Sequence, residues 1–442
     1  MHQRKWTPFF GILIMLLYGG TKAVAQKQHT EVITLEEIWQ KALENNIQIK
    51  IQQSNIDIAG KEVKIKRQNL LPSITTNLEV AYLGDIHIYD KDFTNKVKVD
   101  MPNLGNSFAI QAQQLIYKGR AVQKGISHAN LAHQYSKLQK RNTEQEIKLY
   151  VTGLYLDLYR LYNQKFVYHR NIELAQIRLH HTKALHQQEL VTQDDVLRTQ
   201  FMLSKLKIKH HQIENQIQIV NHQLTTAVGI TPTVIIYPDT TILSTHISHY
   251  DYQTYHDKGV KDNPRLLMSQ KKVEIAQNAL SLCKSEISPS ISLFAVNHLQ
   301  SPLTTSIPVK DNYANSWKVG LTLSMDLSMG YKIRKRKELK RLQVLLSQEM
   351  VEEQEEKIDM EIHSAYLKYK ENINELETFK ENKLLARENY RMIEKKYVNQ
   401  LALLIDVLHA SNTKLEAELD VANAEINALF SYYKILKITG EL

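Results

Sequence analysis

Histidine is the residue type in this chain with the clearest capacity for chemistry. Eighteen are present, and many stand close together in sequence: His180, His181, His186, His210, His211 and His222. Adjacent histidines point to different sides of a helix, and no HExxH pattern places two zinc ligands one turn apart. We therefore interpret these histidines as solvated or tunnel-lining side chains, with a metal site as the less favoured alternative.

Other catalytic patterns are not evident in the sequence. There is no phosphate-binding glycine loop, no nucleophile elbow and no paired-carboxylate constellation. Cys283 is the only cysteine and cannot form a disulfide within the chain, so we expect a buried, small apolar side chain. The sequence predicts a protein that is not an enzyme and needs no cofactor or metal.

The amino terminus predicts export. Arg4 and Lys5 precede an apolar stretch from Phe9 to Tyr18, and small residues at 23 and 25 suit a signal peptidase. Residues 1–25 are therefore predicted to be a signal peptide, cleaved after Ala25. Lipidation is not predicted, because Cys283 lies far from the new amino terminus. No later stretch is apolar over the 18 residues that a spanning helix needs.

The charge distribution argues against nucleic acid as a partner. The chain carries a formal charge of +9, of which the signal peptide contributes three, and the remaining excess is mixed with 47 acids. One basic run, from Lys332 to Arg341, stands out. We expect it to face anionic lipid headgroups, because it directly follows a predicted membrane strand.

Long helices must position every one of these residues. From Tyr331 to Thr439 the chain contains no glycine or proline. The second half of this stretch has a heptad seam of ten residues. They are Ile405, Leu408, Asn412, Leu415, Leu419, Ala422, Ile426, Leu429, Tyr433 and Leu436. A seam needs a partner helix, so we predict a fold-back near Asn399 and Gln400 into an antiparallel pair.

The first half of the chain repeats the same order of elements. A helix from the capping box at Thr34 to about Leu71 precedes an alternating strand, a polar loop, a second strand around 107–117 and another long helical tract. Strand and helix meet at Pro72, Gly119, Pro289 and Gly330. Landmarks recur at offsets of 217 and then 211 residues, which indicates a duplication. We divide the chain into a first repeat (26–229), a linker (230–262) and a second repeat (263–442).

The segment from Trp317 to Ser328 alternates strictly between apolar and polar residues. Its apolar side consists of Trp317, Val319, Leu321, Leu323, Met325 and Leu327. In a soluble sandwich this side would be core, whereas in a membrane strand it would face lipid, and about twelve residues suit a tilted spanning strand. An open sheet is not tolerated in lipid. Four strands per chain therefore favour closure by three copies into a twelve-stranded β-barrel.

The chain resembles the outer membrane efflux protein family that includes TolC. The resemblance lies in Thr34-Leu35-Glu36-Glu37, Leu71-Pro72-Ser73, the stretch from Trp317 to Ser324, Ile405-Asp406-Val407-Leu408 and the final Gly440. It implies a mostly α fold with a small membrane β part. In such a protein a homotrimeric 12-strand barrel continues into a tunnel of antiparallel coiled helices. It also implies an exit duct that works with a periplasmic adaptor and an inner-membrane pump, in efflux or type I secretion.

The resemblance also suggests a gate at the periplasmic mouth. Asp195 and Asp406 match aspartates that ring this mouth, although either residue could simply stabilise the start of a helix. Tyr397 matches a tyrosine that links neighbouring helices. The sequence departs from the family pattern at three kinds of position. Glu189 and Gln400 replace turn glycines, Ala402 replaces the arginine partner of the tyrosine, and His409 replaces a second aspartate.

These expectations place the protein in the outer membrane of a Gram-negative bacterium, with a large periplasmic part and outer membrane lipid around its strands. Two alternatives remain open at this point: a periplasmic adaptor and a coiled-coil scaffold without its own channel. An adaptor would have one helical hairpin within glycine-rich β domains, and a scaffold would lack the amphipathic strands.

Overall fold

Two long helical hairpins and one four-stranded sheet dominate the computed structural model, which describes residues 29–239, 250–304 and 309–442. The first half comprises β1 (His29–Ile33), α1 (Leu35–Asn45), α2 (Ile47–Gln68), β2 (Ser73–Tyr82), β3 (Ile86–Tyr89), β4 (Lys96–Val99), β5 (Leu104–Lys118), α3 (Ala121–Gln187) and α4 (Gln193–Val228). The second half comprises β6 (Val234–Pro238), α5 (Tyr252–Asp262), α6 (Pro264–Lys284), β7 (Ser290–Ser301), β8 (Ala314–Ser324), α7 (Met329–Val398) and α8 (Leu404–Thr439). The predicted signal peptide lies outside the described residues.

Each of the two long helices, α3 and α7, is followed by a turn and an antiparallel return helix, as the sequence predicts. Helix α3 contains 67 residues and would span about 100 Å at 1.5 Å per residue. The α7–α8 turn falls at residues 399–403, where the bend was predicted. The two turns place Glu189 and Gln400 at φ 58° and 60°, in the left-handed region that glycine normally occupies. Both hairpins therefore keep the turn geometry without its usual residue.

The predicted continuous helix from Thr34 to Leu71 is wrong at one point. The chain leaves helical geometry at Asn46, which has ψ 130° and separates α1 from α2. The Asn46 amide donates to Ala227 O at 2.7 Å, and its side-chain oxygen accepts from the Gln48 amide at 2.8 Å. The break is stable because one asparagine side chain satisfies groups on two helices.

The same joint occurs in the second half. Asn263 separates α5 from α6, its amide donates to Ile438 O at 2.8 Å, and its oxygen accepts from Arg265 N at 2.8 Å. Gly229 and Gly440 end α4 and α8 at φ 76° and 80°. A side chain on Gly229 would meet Asn45, and one on Gly440 would meet the Asp262 carbonyl. The duplication thus extends to individual hydrogen bonds.

The sheet is antiparallel, with strand order β2-β5-β7-β8. It lies at the end of α2, α3, α6 and α7, and the two strand pairs meet where β5 pairs with β7. Strand β8 begins earlier than predicted and ends at Ser324, so Met325 follows the strand rather than belonging to it. Among the described residues, no helix is long and apolar enough to cross a membrane.

The four residues predicted at the strand–helix junctions occupy different kinds of position. Pro72 and Pro289 directly precede β2 and β7. Gly119 follows β5 with φ 55°, and a side chain there would collide with Ser288. Gly330 instead lies within the first turn of α7, where a side chain would meet open space. The helix begins before Gly330, so this glycine does not mark the boundary that the sequence suggested.

Three features were not predicted. The polar loop after β2 contains the β3–β4 hairpin, in which Ile86 pairs with Val99. Strand β1 pairs in parallel with β6. Helix α5 lies inside the segment interpreted as a linker, and its offset from α1 is 217 residues, the offset of the preceding landmarks.

The largest buried cluster lies at the joint, where α1 packs against the middle of α3 and the ends of α4 and α8. Ile38, Val151, Tyr155 and Leu224 are fully inaccessible there. A second cluster places α5 against α7 and α8 around Tyr255 and Ile362. This packing fixes the position of the helical hairpins on one side of the joint and of the sheet on the other.

Candidate functional site

One face of the sheet is predominantly apolar across all four strands. The register aligns Ile74 with Ala112, Ala295 and Val319, and the next row of this face aligns Thr76 with Ile110, Asn297 and Trp317. Cross-strand partners point to the same side. Leu78, Trp317, Leu321 and Leu323 are 75%, 76%, 67% and 70% exposed. An apolar surface this open is typical of a strand that faces lipid rather than a protein core.

The opposite face is polar. One row runs from Thr75 through Gln111 and Val296 to Lys318, and the neighbouring row contains Asn77, Ala109, His298 and Ser316. Ser107 Oγ lies 2.9 Å from His298 Nε2 across this face. Such a surface suits contact with water. The alternation predicted for β8 therefore applies to the whole sheet.

Both edges of the sheet are free within the described residues. Strand β2 pairs only with β5, and β8 pairs only with β7. Each edge therefore presents a row of backbone donors and acceptors without partners. Such edges cannot persist in lipid, where no water can satisfy them.

At the far end of the hairpins, the predicted gate aspartates begin helices. Asp195 Oδ2 accepts from Thr192 N at 3.1 Å and from Thr192 Oγ1 at 2.9 Å, which forms a capping box with the hydroxyl. Asp406 Oδ2 accepts from Leu403 N at 3.0 Å. Both carboxylates therefore stabilise the start of a helix. This is the alternative role that the sequence analysis gave for these residues besides the gate.

A cavity of about 580 Å³ lies between the two hairpin turns. Asp195, Arg198 and Tyr397 line it, together with apolar residues from both turns such as Leu190 and Leu404. The structure thus brings Asp195 and Tyr397 together. Asp406 and His409 instead lie on an exposed side of α8 next to the cavity.

Among the described residues, no arginine forms a hydrogen bond with Tyr397, as the replacement of the arginine by Ala402 predicts. The Tyr397 hydroxyl is buried beside the Thr182 hydroxyl, which itself donates to Arg178 O at 2.9 Å. Burial raises the pKa of Tyr397 above its ordinary value. The hydroxyl is therefore an uncharged polar group that could accept or donate one further hydrogen bond.

A contact that sequence reasoning missed joins the hairpins nearby. Arg178 of α3 donates to the Tyr390 hydroxyl at 2.9 Å, and this hydroxyl donates to Glu394 at 2.5 Å. Lys414 of α8 lies 4.7 Å from the centre of the Tyr390 ring. Burial and the Glu394 carboxylate raise the pKa of Tyr390 to about 12. Tyr390 precedes Tyr397 by one heptad, and this spacing was the available signal.

The comparisons with known proteins agree with this arrangement. Residues 259–441 match the outer membrane efflux protein family. The matched segment contains the end of α5 and all of α6, β7, β8, α7 and α8. Among curated proteins, no sequence is significantly similar to this one.

Solved structures extend the likeness of the fold to nearly the whole chain. The outer membrane protein VceC from Vibrio cholerae matches with a TM-score of 0.76 at 13% identity, over 92% of this chain and 96% of that one. The Campylobacter jejuni CmeC outer membrane channel has a TM-score of 0.74 at 13% identity, over 92% and 85%. The Neisseria gonorrhoeae MtrE channel in its open state has a TM-score of 0.71 at 13% identity, over 92% and 88%.

These findings confirm the predicted fold class and the predicted function of an outer-membrane efflux channel. Two of the histidines lie beside an acid: His210 and His211 are 3.7 and 3.3 Å from Glu214, which also pairs with Lys165 at 2.9 Å. Within residues 29–239, 250–304 and 309–442, no group of three or more histidines, cysteines or acids is arranged to hold a metal.

Proposed function

We propose that this efflux protein acts as a homotrimeric exit duct, which receives substrates from an inner-membrane pump through a periplasmic adaptor. The observation that carries the proposal is a sheet with one apolar exposed face and two free edges. Four strands cannot close a barrel, whereas three copies supply twelve and pair every edge. The polar face then lines a water-filled lumen.

Each protomer would be a duplicated unit reached after removal of residues 1–25. The first repeat extends from the mature amino terminus to Gly229. We place the start of the second repeat at α5 rather than at residue 263, because α5 and Asn263 form the counterpart of α1 and Asn46. The segment before α5 then serves as the connection between repeats.

The hairpin end would form the periplasmic gate. Asp195 of the first repeat and Asp406 of the second occupy equivalent positions, so a trimer presents six carboxylates at one end of the helical tunnel. A ring of carboxylates favours cations. The hydrogen bonds from Arg178 to Tyr390 and from Tyr390 to Glu394 would hold the hairpins together in the closed state, where Ala402 replaces the arginine of the family pattern.

Membrane fractionation combined with planar-bilayer recording tests the function. We expect the full-length protein, expressed in a Gram-negative host, to sediment with outer membranes and to need detergent for extraction. Purified protein should insert into planar bilayers and give the discrete conductance steps expected of a water-filled pore. A soluble periplasmic monomer without conductance would instead support the adaptor or scaffold.

A further inference from the structure

The first turns of α7 carry a concentration of positive charge that the fold does not require. Residues 332–341 include seven cations: Lys332, Arg334, Lys335, Arg336, Lys337, Lys340 and Arg341, with Glu338 as the only acid. Cations at a helix amino terminus oppose the helix dipole, and like charges three or four residues apart repel. The segment therefore destabilises its own helix unless anions lie nearby.

The duplicated copy shows that this charge is not structural. Offset by 211 residues, the start of α3 at 121–130 contains Lys124 as its only lysine or arginine. Both helices follow a strand of the same sheet and both form long hairpins. The same architecture is therefore built with one cation in the first repeat and seven in the second.

Acids of the same chain do not balance the patch. Arg336 pairs with Glu286 at 2.8 Å and Lys335 with Glu338 at 3.0 Å. Within the described part of the chain, Arg334, Lys337 and Arg341 have no ion pair. The patch thus retains at least three uncompensated charges.

Closure of the sheet brings a second basic patch to the same place. Strand β8 leads into α7, and α2 leads into β2. When β8 pairs with β2 of the adjacent copy, the start of α7 lies beside the end of that copy's α2. The last two turns of α2 carry Lys61, Lys64, Lys66 and Arg67, with Glu62 as the one acid. Here too the described residues provide no ion pair for the four cations.

Exposed apolar side chains lie among the cations of both patches. Ile58 and Ile65 of α2 are each 58% exposed, and Leu339 and Leu342 of α7 are 55% and 59% exposed. Packing of these residues across the seam would bury them and bring the two sets of cations close. Repulsion between the sets then needs a shared anion.

The position of the seam identifies the anion. Leu323 and Leu327, 70% and 79% exposed, lie on the chain immediately before the basic run. Tyr331 is 71% exposed between them and the cations. Apolar residues, then a tyrosine, then cations is the order found from the hydrocarbon to the headgroup layer. We propose that the seam of α7 and the adjacent α2 binds the phosphate of anionic phospholipids in the periplasm-facing leaflet, and that this lipid stabilises the trimer.

The inference rests on the proposed trimer and is tested on it. The full-length protein is reconstituted in nanodiscs of neutral phosphatidylcholine, or of phosphatidylcholine with phosphatidylglycerol. The temperature at which the trimer dissociates is then measured. We expect phosphatidylglycerol to raise this temperature by several degrees. The variants Arg334→Gln/Lys337→Gln and Lys61→Gln/Lys64→Gln should each lose most of that gain.

A matched variant controls for the loss of positive charge. Lys380→Gln/Lys383→Gln removes two exposed cations from the same helix, about 50 residues further from the sheet, and should keep the full gain. Inorganic phosphate added to neutral nanodiscs should not substitute for the lipid. An equal dissociation temperature in both lipids, or an equal loss in the control variant, would overturn the inference. Absence of a trimer in every lipid would instead contradict the proposed function.

Discussion

At the scale of single residues, Asp195 and Asp406 are the sharpest test of the gate. Each accepts a backbone hydrogen bond at a helix start. An acid there contributes about 0.3–1 kcal/mol, so Asp195→Ala/Asp406→Ala should leave the oligomer intact. We expect lower cation selectivity and weaker block by multivalent cations in single-channel recordings. Asp194→Ala is the control, since Ile405 replaces this acid in the second repeat. Unchanged selectivity in the double variant would leave both aspartates as helix caps only.

The contact between Arg178 and Tyr390 makes a second prediction at this scale. The arginine donates to a buried hydroxyl and its guanidinium lies 5.9 Å from the ring centre. A double-mutant cycle of Arg178→Gln and Tyr390→Phe should give a coupling energy of about 0.5–3 kcal/mol in thermal or chemical unfolding. The exposed pair Arg391 and Glu388, 3.7 Å apart, should give almost none. A coupling as small in the first pair would rule out a latch.

At the scale of elements, the two faces of β8 should respond differently to charge. Leu321→Arg should destabilise the folded protein in lipid by about 2–4 kcal/mol if it lies near the bilayer centre. Thr322→Arg lies on the polar face, so it should cost less and change conductance instead. Folded fraction in lipid vesicles, followed by heat-modifiable gel migration, measures the first effect. An equal loss in both variants would mean that the strand does not face lipid.

The hairpin turns provide another prediction for elements. Gln400 has φ 60°, a conformation that costs a residue with a side chain about 1–2 kcal/mol. Gln400→Gly removes this strain, but glycine also increases the conformational entropy of the unfolded chain, which opposes folding. The free energy of unfolding of the variant should therefore be unchanged or slightly raised. Glu377→Gly, in the exposed interior of α7, should cost about 1 kcal/mol. The shift in thermal midpoint distinguishes them, and a loss at Gln400 as large as at Glu377 would contradict the argument.

Local sequence signals predicted these elements unequally. Periodicity was sufficient for the long helices and for β8, because heptads and alternation are repeated many times. The break at Asn46 was missed because it depends on Ala227, which is distant in sequence. The contact of Arg178 with Tyr390 was missed for the same reason. The pairing of β1 with β6 was also beyond prediction, since five-residue strands carry too little pattern.

At the scale of the whole molecule, the account depends on copies of the chain completing one another. The fold and the outer-membrane efflux function were predicted correctly because the ordered motifs span both repeats. A single chain nevertheless leaves the edges of β2 and β8 open. The proposed lipid-facing surface, the proposed lumen and the proposed gate all require that these edges meet.

Disulfide cross-linking across the seam tests this central claim most directly. Cysteine at Thr322 of β8 is combined, one variant at a time, with cysteine at Ser73, Thr75 or Asn77 of β2, in the full-length protein in outer membranes. The unmodified chain serves as the control, because its cysteine, Cys283, is buried and should not form a disulfide between copies. We expect oxidation of the pair in register to give covalent species that end at three copies. No cross-link at any register, or a ladder that continues beyond three, would contradict the trimeric duct.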